Sequence, residues 1–336
     1  LLTDETGNRV RDIDFENNFN ALEATARLNY NFTQKLSLWS AYNLSNNAPD
    51  VRQLSPYLDV SDPINTVQGN PNLSPTNSHN FNMGVNNYDW ETRSGLYSYF
   101  GATFTNDQVV NLTTVDDNFV RSTTFTNVDG VYNAYGNLGY NKDYKLDSLR
   151  TLKVEVGMSG SINRFVNFFN ADQYASITKS VSPSLGLRFT WTDWFELRPE
   201  YRISFNETTF NRDFFDGQEF TQHNARLRTT TYFPEWLTWE NDIRYTYNPN
   251  VGAGFQRDAV FWNTSLAYSF LNNKAVATFK VYDLLNQNTN SRRTATQSYI
   301  EDVQSTVLQQ YFMLSFSYKF NTLGKKGEVR ENGWWD

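Results

Sequence analysis

The chain of 336 residues contains no cysteine and only two histidines. Without cysteine, disulfides and thiolate metal sites are excluded. No apolar run approaches the ~20 residues that a membrane-spanning helix needs, and the mean hydropathy is -0.62. Acidic residues outnumber basic ones, and the resulting net charge of -7 argues against nucleic acid as a partner.

What the chain does contain is a repeated alternation of apolar and polar residues. Between residues 22 and 32, every even position is apolar and every odd position is polar. The last run, Leu308 to Phe320, has apolar residues at alternate positions and ends in an aromatic residue. Strands with one apolar and one polar face are typical of membrane β-barrels, which meet lipid on one side and water on the other. An aromatic content of 16% fits rings of aromatic residues at the membrane interfaces.

The predicted strands are joined by connections that are alternately short and long. Short turns fall at 33–35, 88–92, 141–147, 192–194, 234–236 and 271–273, and long polar connections at 45–76, 106–121, 163–174, 206–220, 248–258 and 285–307. This asymmetry is typical of bacterial outer-membrane barrels, in which the short turns are periplasmic. The sequence therefore predicts an all-β fold over residues 1–320, an antiparallel transmembrane β-barrel of about 13 strands in the outer membrane. Pro199, which cannot donate to a β-ladder, predicts a bulge.

Three of the short turns contain an acidic residue followed by tryptophan, at positions 89–90, 193–194 and 235–236. Tryptophan prefers the headgroup boundary, where its ring is half-buried and its N–H stays hydrated. We therefore predict that Trp90, Trp194 and Trp236 form an interface girdle against the outer-membrane lipids. The alternative is ordinary hairpin packing in a soluble sheet.

The strand count predicts that part of the barrel is missing. About 13 strands is an odd number, whereas single-chain bacterial barrels have even numbers and periplasmic termini. No methionine or apolar signal segment precedes Leu1. We expect a fragment that begins in an outer loop. Residues 321–336 are expected to form a periplasmic tail, either disordered or docked through Trp334 and Trp335.

Two parts of the chain carry a family resemblance. One part consists of Val281-Tyr282-Asp283-Leu284-Leu285-Asn286-Gln287-Asn288, followed by Arg292-Arg293 and the terminal strand. The other consists of Asn47-Ala48-Pro49 and Gln68-Gly69-Asn70-Pro71-Asn72-Leu73-Ser74-Pro75. In order and spacing these stretches resemble the TonB-dependent transporters. The resemblance implies a barrel of about 22 strands, a plug domain that contacts TonB, and import of scarce solutes. Neither the plug nor the TonB-contacting segment is in this sequence.

The polar face of the predicted strands is rich in charge, with Glu196, Arg198, Glu200 and Arg202 on one strand. Pairing across the 234–236 turn places Arg228 opposite Asp242 on the next two strands. Such residues line a substrate path, contact the plug, or stabilise the inner wall as cross-strand ion pairs.

Two neighbouring long connections each contain a phenylalanine pair beside acidic residues. Aromatic side chains next to hydrogen-bonding groups suit a sugar ring, a peptide or an apolar chelate. The candidate substrate-binding residues are Phe168, Phe169, Asp172, Asp213, Phe214 and Phe215. The alternative is that the loops pack against each other through these rings.

Catalysis and metal binding have little support in the sequence. His79 and His223 are the only histidines, and no Gly-x-Ser-x-Gly motif occurs. We predict no enzyme activity, no cofactor and no metal site. Import through TonB is the favoured function. The alternatives are a docking platform in a secretion or surface-lipoprotein assembly, or a passive porin.

Overall fold

The computed structural model describes residues 16–213, 215–232, 234–287, 290–295, 300–305 and 309–320. The predicted tail, 321–336, and the first 15 residues lie outside this part of the chain. The elements are β1 (Ala24–Asn31), β2 (Leu36–Asn47), α1 (Val51–Leu54), β3 (Leu58–Asp59), β4 (Asn65–Gln68), β5 (Thr76–Asp89), β6 (Ser94–Asn106), β7 (Gln108–Val115), β8 (Arg121–Val128), β9 (Val131–Lys145), β10 (Arg150–Phe169), β11 (Asp172–Trp191), β12 (Phe195–Phe210), β13 (Gln218–Thr231), β14 (Leu237–Tyr247), β15 (Asp258–Phe270), β16 (Ala275–Tyr282), β17 (Asn290–Ala295), β18 (Ile300–Ser305) and β19 (Tyr311–Tyr318). No helix in the described ranges is long and apolar enough to cross a membrane.

Thirteen strands form one large sheet in the order β1-β2-β5-β6-β9-β10-β11-β12-β13-β14-β15-β16-β19. Every neighbouring pair in it is antiparallel. Strands β1 and β19 are its two edges. The predicted all-β, antiparallel fold with 13 strands is confirmed. The two-residue alternation identified it because each strand has to present one face to lipid and the other to water.

The two faces of the large sheet differ sharply in chemistry. Leu185, Tyr201, Ala225 and Tyr245 lie side by side in register on four adjacent strands. Their immediate neighbours, in register on the other face, are Gly186, Glu200, Arg226 and Arg244. We call the apolar side the outer face and the polar side the inner face.

The connections at one end of the sheet are short turns, and those at the other end contain structure of their own. Four short strands form a second sheet, β3-β4-β8-β7, which we call the outer sheet. Strands β17 and β18 form a hairpin in the last long connection. The predicted long loop at 163–174 is instead the end of the β10–β11 hairpin, whose ladder continues to Phe169 and Asp172. The alternation stops there because strand segments above the membrane no longer face lipid.

A small core joins the outer sheet to the top of the large sheet. Val128 of β8 is buried with Val131, Val166 and Ala175, and Val110 and Phe168 pack against them. Asn127 ties this region together, because its side chain accepts the Ser74 N–H at 2.8 Å and donates to the Ser74 carbonyl at 3.0 Å. The long connections are therefore anchored above the strands that they join.

The bulge predicted at Pro199 is wrong. Pro199 lies opposite Leu227 in an uninterrupted β12–β13 register. On the β11 side the ladder is interrupted at residues 198–199 and resumes with unchanged register. No residue is inserted, because a gap in one ladder suffices to accommodate the missing N–H.

Candidate functional site

The inner face of β12, β13 and β14 is crossed by a lattice of ion pairs. Arg228 lies opposite Asp242 in the β13–β14 register, as predicted. Asp242 nevertheless receives a bidentate pair from Arg226, with Nε and Nη2 at 2.8 and 2.9 Å. The guanidinium of Arg244 adds a contact at 2.7 Å, and Arg228 turns the other way to Glu200, also at 2.7 Å. One carboxylate thus holds two guanidinium groups.

The lattice continues toward β10 and borders a cavity. Arg198 contacts Glu200 at 2.7 Å, and Lys153 contacts Glu155 at 2.8 Å. A cavity of about 590 Å³ is lined by Glu200, Arg202 and other inner-face residues. Because most of these charges are paired within the wall, the arrangement stabilises the strands, and its hydrogen-bonding groups line the cavity.

Four aromatic residues on the inner face were not identified from the sequence. They are Trp39, Tyr97, Tyr99 and Tyr135, and we call them the aromatic wall. The Tyr99 hydroxyl donates to Asn82 Oδ1 at 2.7 Å and lies 3.0 Å from that of Tyr135. The detectable signal is an aromatic residue at a polar-face position opposite a glycine, but recognising it requires the strand register.

The predicted interface tryptophans lie at the short-turn end of the sheet. Trp90, Trp194 and Trp236 are exposed. Each packs against an aromatic residue at a strand end, with centroids 4.6 Å from Tyr88, 4.9 Å from Trp191 and 5.4 Å from Tyr268, respectively. Their shared position is consistent with a girdle, which stays a prediction.

A short turn at the same end is organised by Asp147. Its carboxylate accepts the backbone N–H groups of Leu149 and Arg150 at 2.9 and 2.7 Å. The Arg150 guanidinium hydrogen-bonds the same carboxylate and, as the largest cause, lowers the pKa of Asp147. The negative charge therefore supports the closed turn.

The predicted substrate-binding residues come from two connections that the structure brings together. The rings of Phe169 and Phe215 meet edge to face with centroids 5.6 Å apart. Phe215 also lies 5.2 Å from both Tyr174 and Phe210. We call Phe169, Tyr174, Phe210 and Phe215 the mouth cluster.

The other predicted residues of this site have different positions. Phe168 packs on the small core instead of joining the mouth cluster. Asp172, which is opposite Phe169 in the β10–β11 register, and Asp213, in the connection that contains Phe215, are exposed, and Phe214 lies outside the described residues. Their role in binding a solute stays a prediction.

Both histidines lie on the outer face, His79 within β5 and His223 within β13, near the ends of these strands that adjoin the long connections. His79 Nδ1 lies 2.9 Å from the Tyr42 hydroxyl, and His223 Nδ1 lies 2.7 Å from that of Tyr201. Each is thus paired with a tyrosine of the adjacent strand. Within the described ranges, no group of three or more metal-ligating His, Asp or Glu side chains comes together.

Comparison with known proteins agrees with this architecture. Residues 3–178 and 175–318 match the outer membrane protein beta-barrel family. No curated protein sequence matches the chain significantly.

Three solved structures are similar at low identity. The ferric-catecholate import receptor Fiu from Escherichia coli K12 has 10% identity and a TM-score of 0.43, covering 89% of this chain and 55% of that one. The RagAB peptide importer has 10% identity and a TM-score of 0.43, covering 88% and 41%. The Ralstonia pickettii toluene transporter TbuX has 9% identity and a TM-score of 0.29, covering 88% and 80%. The chain spans about half the length of the first two structures.

The family match extends over nearly all of the chain and agrees with the alternating strands of the large sheet. The chain is an antiparallel β-barrel protein of the outer membrane and belongs to the outer membrane protein beta-barrel family.

Proposed function

We propose that the protein is a TonB-dependent receptor that binds a solute at the cell surface and imports it into the periplasm. The observation that carries this proposal is the order of two groups of side chains along β10 to β13, with the mouth cluster at the end nearer the long connections and the ion-pair lattice below it. Three rings of the mouth cluster, those of Phe169, Tyr174 and Phe210, share the inner-face parity of the ion-pair lattice below them. A solute held by the cluster would enter directly above the charged cavity.

The mouth cluster has the chemistry of a capture site. Its rings form an apolar surface, and exposed carboxylates belong to the same two connections, Asp172 opposite Phe169 and Asp213 near Phe215 in sequence. Such a combination binds the ring or apolar part of a solute and orients its donor groups. The proposal includes a plug domain and contact with TonB because residues 47–75 and 281–320 resemble TonB-dependent transporters.

The test compares the parent strain with strains that lack either this gene or the gene for TonB. Mass spectrometry of the growth medium measures which solutes each strain consumes. We expect both deletions to leave the same solute unconsumed, since import needs both proteins. Loss of uptake in the first strain with normal uptake in the second would refute energy coupling and favour a passive pore.

A second candidate function, a docking platform, is favoured by an apolar patch on the outer sheet. Leu58, Val60, Ile64 and Phe119 are exposed there, with Phe119 at 86%. Phe119 also has a φ of 61°, which is strained for a bulky residue. Arg121 N–H donates to the Ile64 carbonyl at 2.8 Å, which places the two loop tips together.

The acidic rim of this patch defines the partner that it fits. Asp62, Asp116 and Asp117 are exposed around it, so the matching surface is apolar with basic residues at its edge. A surface lipoprotein with such a face is the proposed partner. Stoichiometric co-purification that is lost in F119D and kept in V51D, on the exposed face of α1, would support the platform. Equal co-purification with both variants would refute it.

A further inference from the structure

We propose that the aromatic wall is a binding surface for a neutral, hydroxyl-rich ring compound, that is, a carbohydrate. This surface lies inside the barrel, on β2, β5, β6 and β9, and is separate from the mouth cluster on β10 to β13. Its four rings belong to three different strands and point to the same side of the sheet.

Glycine residues create the space in which these rings lie across the wall. Trp39 is in register with Gly84, and a Cβ at Gly84 would collide with its indole nitrogen. Tyr97 is likewise in register with Gly139, whose added Cβ would collide with the phenol ring. At Gly101 an added Cβ would lie 2.7 Å from Tyr135 Cζ. Each of these three rings thus lies over the glycine opposite it instead of standing upright.

Three of the rings, those of Trp39, Tyr99 and Tyr135, form a connected row, and the wall has an exposed side. Trp39 and Tyr99 have centroids 5.7 Å apart, and Tyr99 and Tyr135 are 5.6 Å apart. Trp39 is 39% exposed, and Tyr97 and Tyr135 are 49% and 46% exposed. Adjacent aromatic rings at this spacing present their π-faces to a solute, as sugar rings require for stacking on aromatic side chains.

Amide side chains surround the rings and supply hydrogen bonds of both kinds. Asn86 and Asn137 are exposed on the same face, and in the described part of the chain their side chains have no hydrogen-bond partner. Each offers a carbonyl acceptor and two N–H donors. Amide groups therefore suit the hydroxyl groups of a solute, because every hydroxyl both donates and accepts hydrogen bonds.

The inner face of β2, β5, β6 and β9 carries no charge around the aromatic wall, whereas the inner face of β10 to β14 carries the ion-pair lattice. The polar-face positions are all uncharged between Ser37 and Asn47, Thr76 and Tyr88, Gly95 and Thr105, and Val131 and Asn141. A charged solute would find no ionic partner within these ranges of the four strands, which are flanked by Arg27 on β1 and Glu155 on β10, whereas a neutral polyol loses no ionic hydration on binding. Tyr97 also borders the charged cavity, so the wall extends the same space.

The inference deepens the proposed import function, on which it rests for the route by which the solute arrives. Binding itself is measured in detergent, where no TonB is present. Failure of import with intact sugar binding would refute the proposed function alone, and failure of binding would refute this inference alone.

The experiment uses the intact protein purified from its native membrane in detergent. Saturation-transfer NMR and titration calorimetry are performed with maltohexaose, cellohexaose and mannohexaose as neutral probes, and with hexagalacturonate as a charged probe. We expect a neutral probe to bind and the charged one not to bind. W39A and Y135A should each raise the dissociation constant of the neutral probe about 3- to 10-fold, the range expected for one lost stacking contact.

The matched control is F100L, which changes an exposed aromatic residue on the outer face of β6, the strand that carries Tyr97 and Tyr99 on its inner face. It should bind like the unchanged protein. Heat-modified migration on gels verifies that each variant keeps a folded barrel. The inference is overturned if no neutral probe binds, or if folded W39A and Y135A bind as tightly as F100L.

Discussion

Arg228 faces Asp242 across the β13–β14 ladder, yet its guanidinium pairs with Glu200 on the strand at its other side. Asp242 is instead occupied by Arg226, one diagonal position away on β13, and by Arg244 on its own strand. Diagonal positions are within reach of long side chains, so geometry and the number of available carboxylates decide the pairing. The lattice thus shares few acceptors among several arginines.

This relationship predicts different couplings for the two possible partners of Arg228. A double-mutant cycle with R228M and E200Q should give a coupling free energy of about 1 kcal/mol. The same cycle with R228M and D242N should give a value near zero, because those side chains do not pair. Unfolding in guanidinium, followed by tryptophan fluorescence, provides the four stabilities of each cycle. A larger coupling to Asp242 would contradict the observed geometry.

Removal of the shared acceptor should be the most costly single change in the lattice. D242N leaves Arg226 and Arg244 close together without a carboxylate, and we expect it to lower the free energy of unfolding by about 1–3 kcal/mol. The matched control is E207Q. Its partner Lys179 and Glu207 itself have side chains 50% and 45% exposed, so its loss should change the same free energy by less than about 0.5 kcal/mol.

If Trp194 belongs to the interface girdle, its ring lies at a shallow depth in the membrane. Its fluorescence should be quenched more by lipids labelled near the headgroup than by lipids labelled deep in the acyl chain. The W194F variant should therefore lose mainly the shallow-quenched signal. Trp262, in register with Ile243 nearer the middle of the sheet, supplies the control, since W262F should lose mainly the deeply quenched signal. Equal losses in the two variants would argue against the girdle.

The Asp147 turn should respond to acid. Because its pKa is lowered in the folded protein, the charged form stabilises the turn above the unfolded pKa of about 4, and this support is lost as pH falls through the folded pKa. Hydrogen exchange of the Leu149 and Arg150 amides should be faster in D147N than in the unchanged protein at neutral pH. At a pH below the folded pKa the two proteins should exchange alike. A difference that persists there would contradict the assignment.

The mouth cluster predicts that Phe215 orders its connection. F215A removes a ring that contacts Phe169, Tyr174 and Phe210, and it should increase proteolytic cleavage between residues 206 and 220. The control F119A changes an exposed ring of the outer sheet and should leave cleavage in that segment unchanged. Unaltered cleavage in F215A would contradict a packing role for this ring.

The alternation of apolar and polar residues was sufficient to determine the fold class, the number of strands in the large sheet and the face of that sheet on which each strand residue lies. Lipid imposes this pattern directly, so it is visible in a single sequence. The register across the 234–236 turn, and with it the opposition of Arg228 and Asp242, was predictable for the same local reason.

Other features depended on contacts between strands that are distant in the sequence. The pairing of Arg228 with Glu200, the meeting of Phe169 with Phe215, and the covering of Gly84 by Trp39 each join residues from separate hairpins or strands. The prediction of a bulge at Pro199 was wrong, because local propensity did not reveal that a gap in one ladder was enough to accommodate a residue without an N–H. The sequence by itself determined which face each side chain occupies, because that depends on a two-residue period. Only the tertiary structure decided which neighbours meet on that face, because that depends on register, diagonal reach and competition for shared partners.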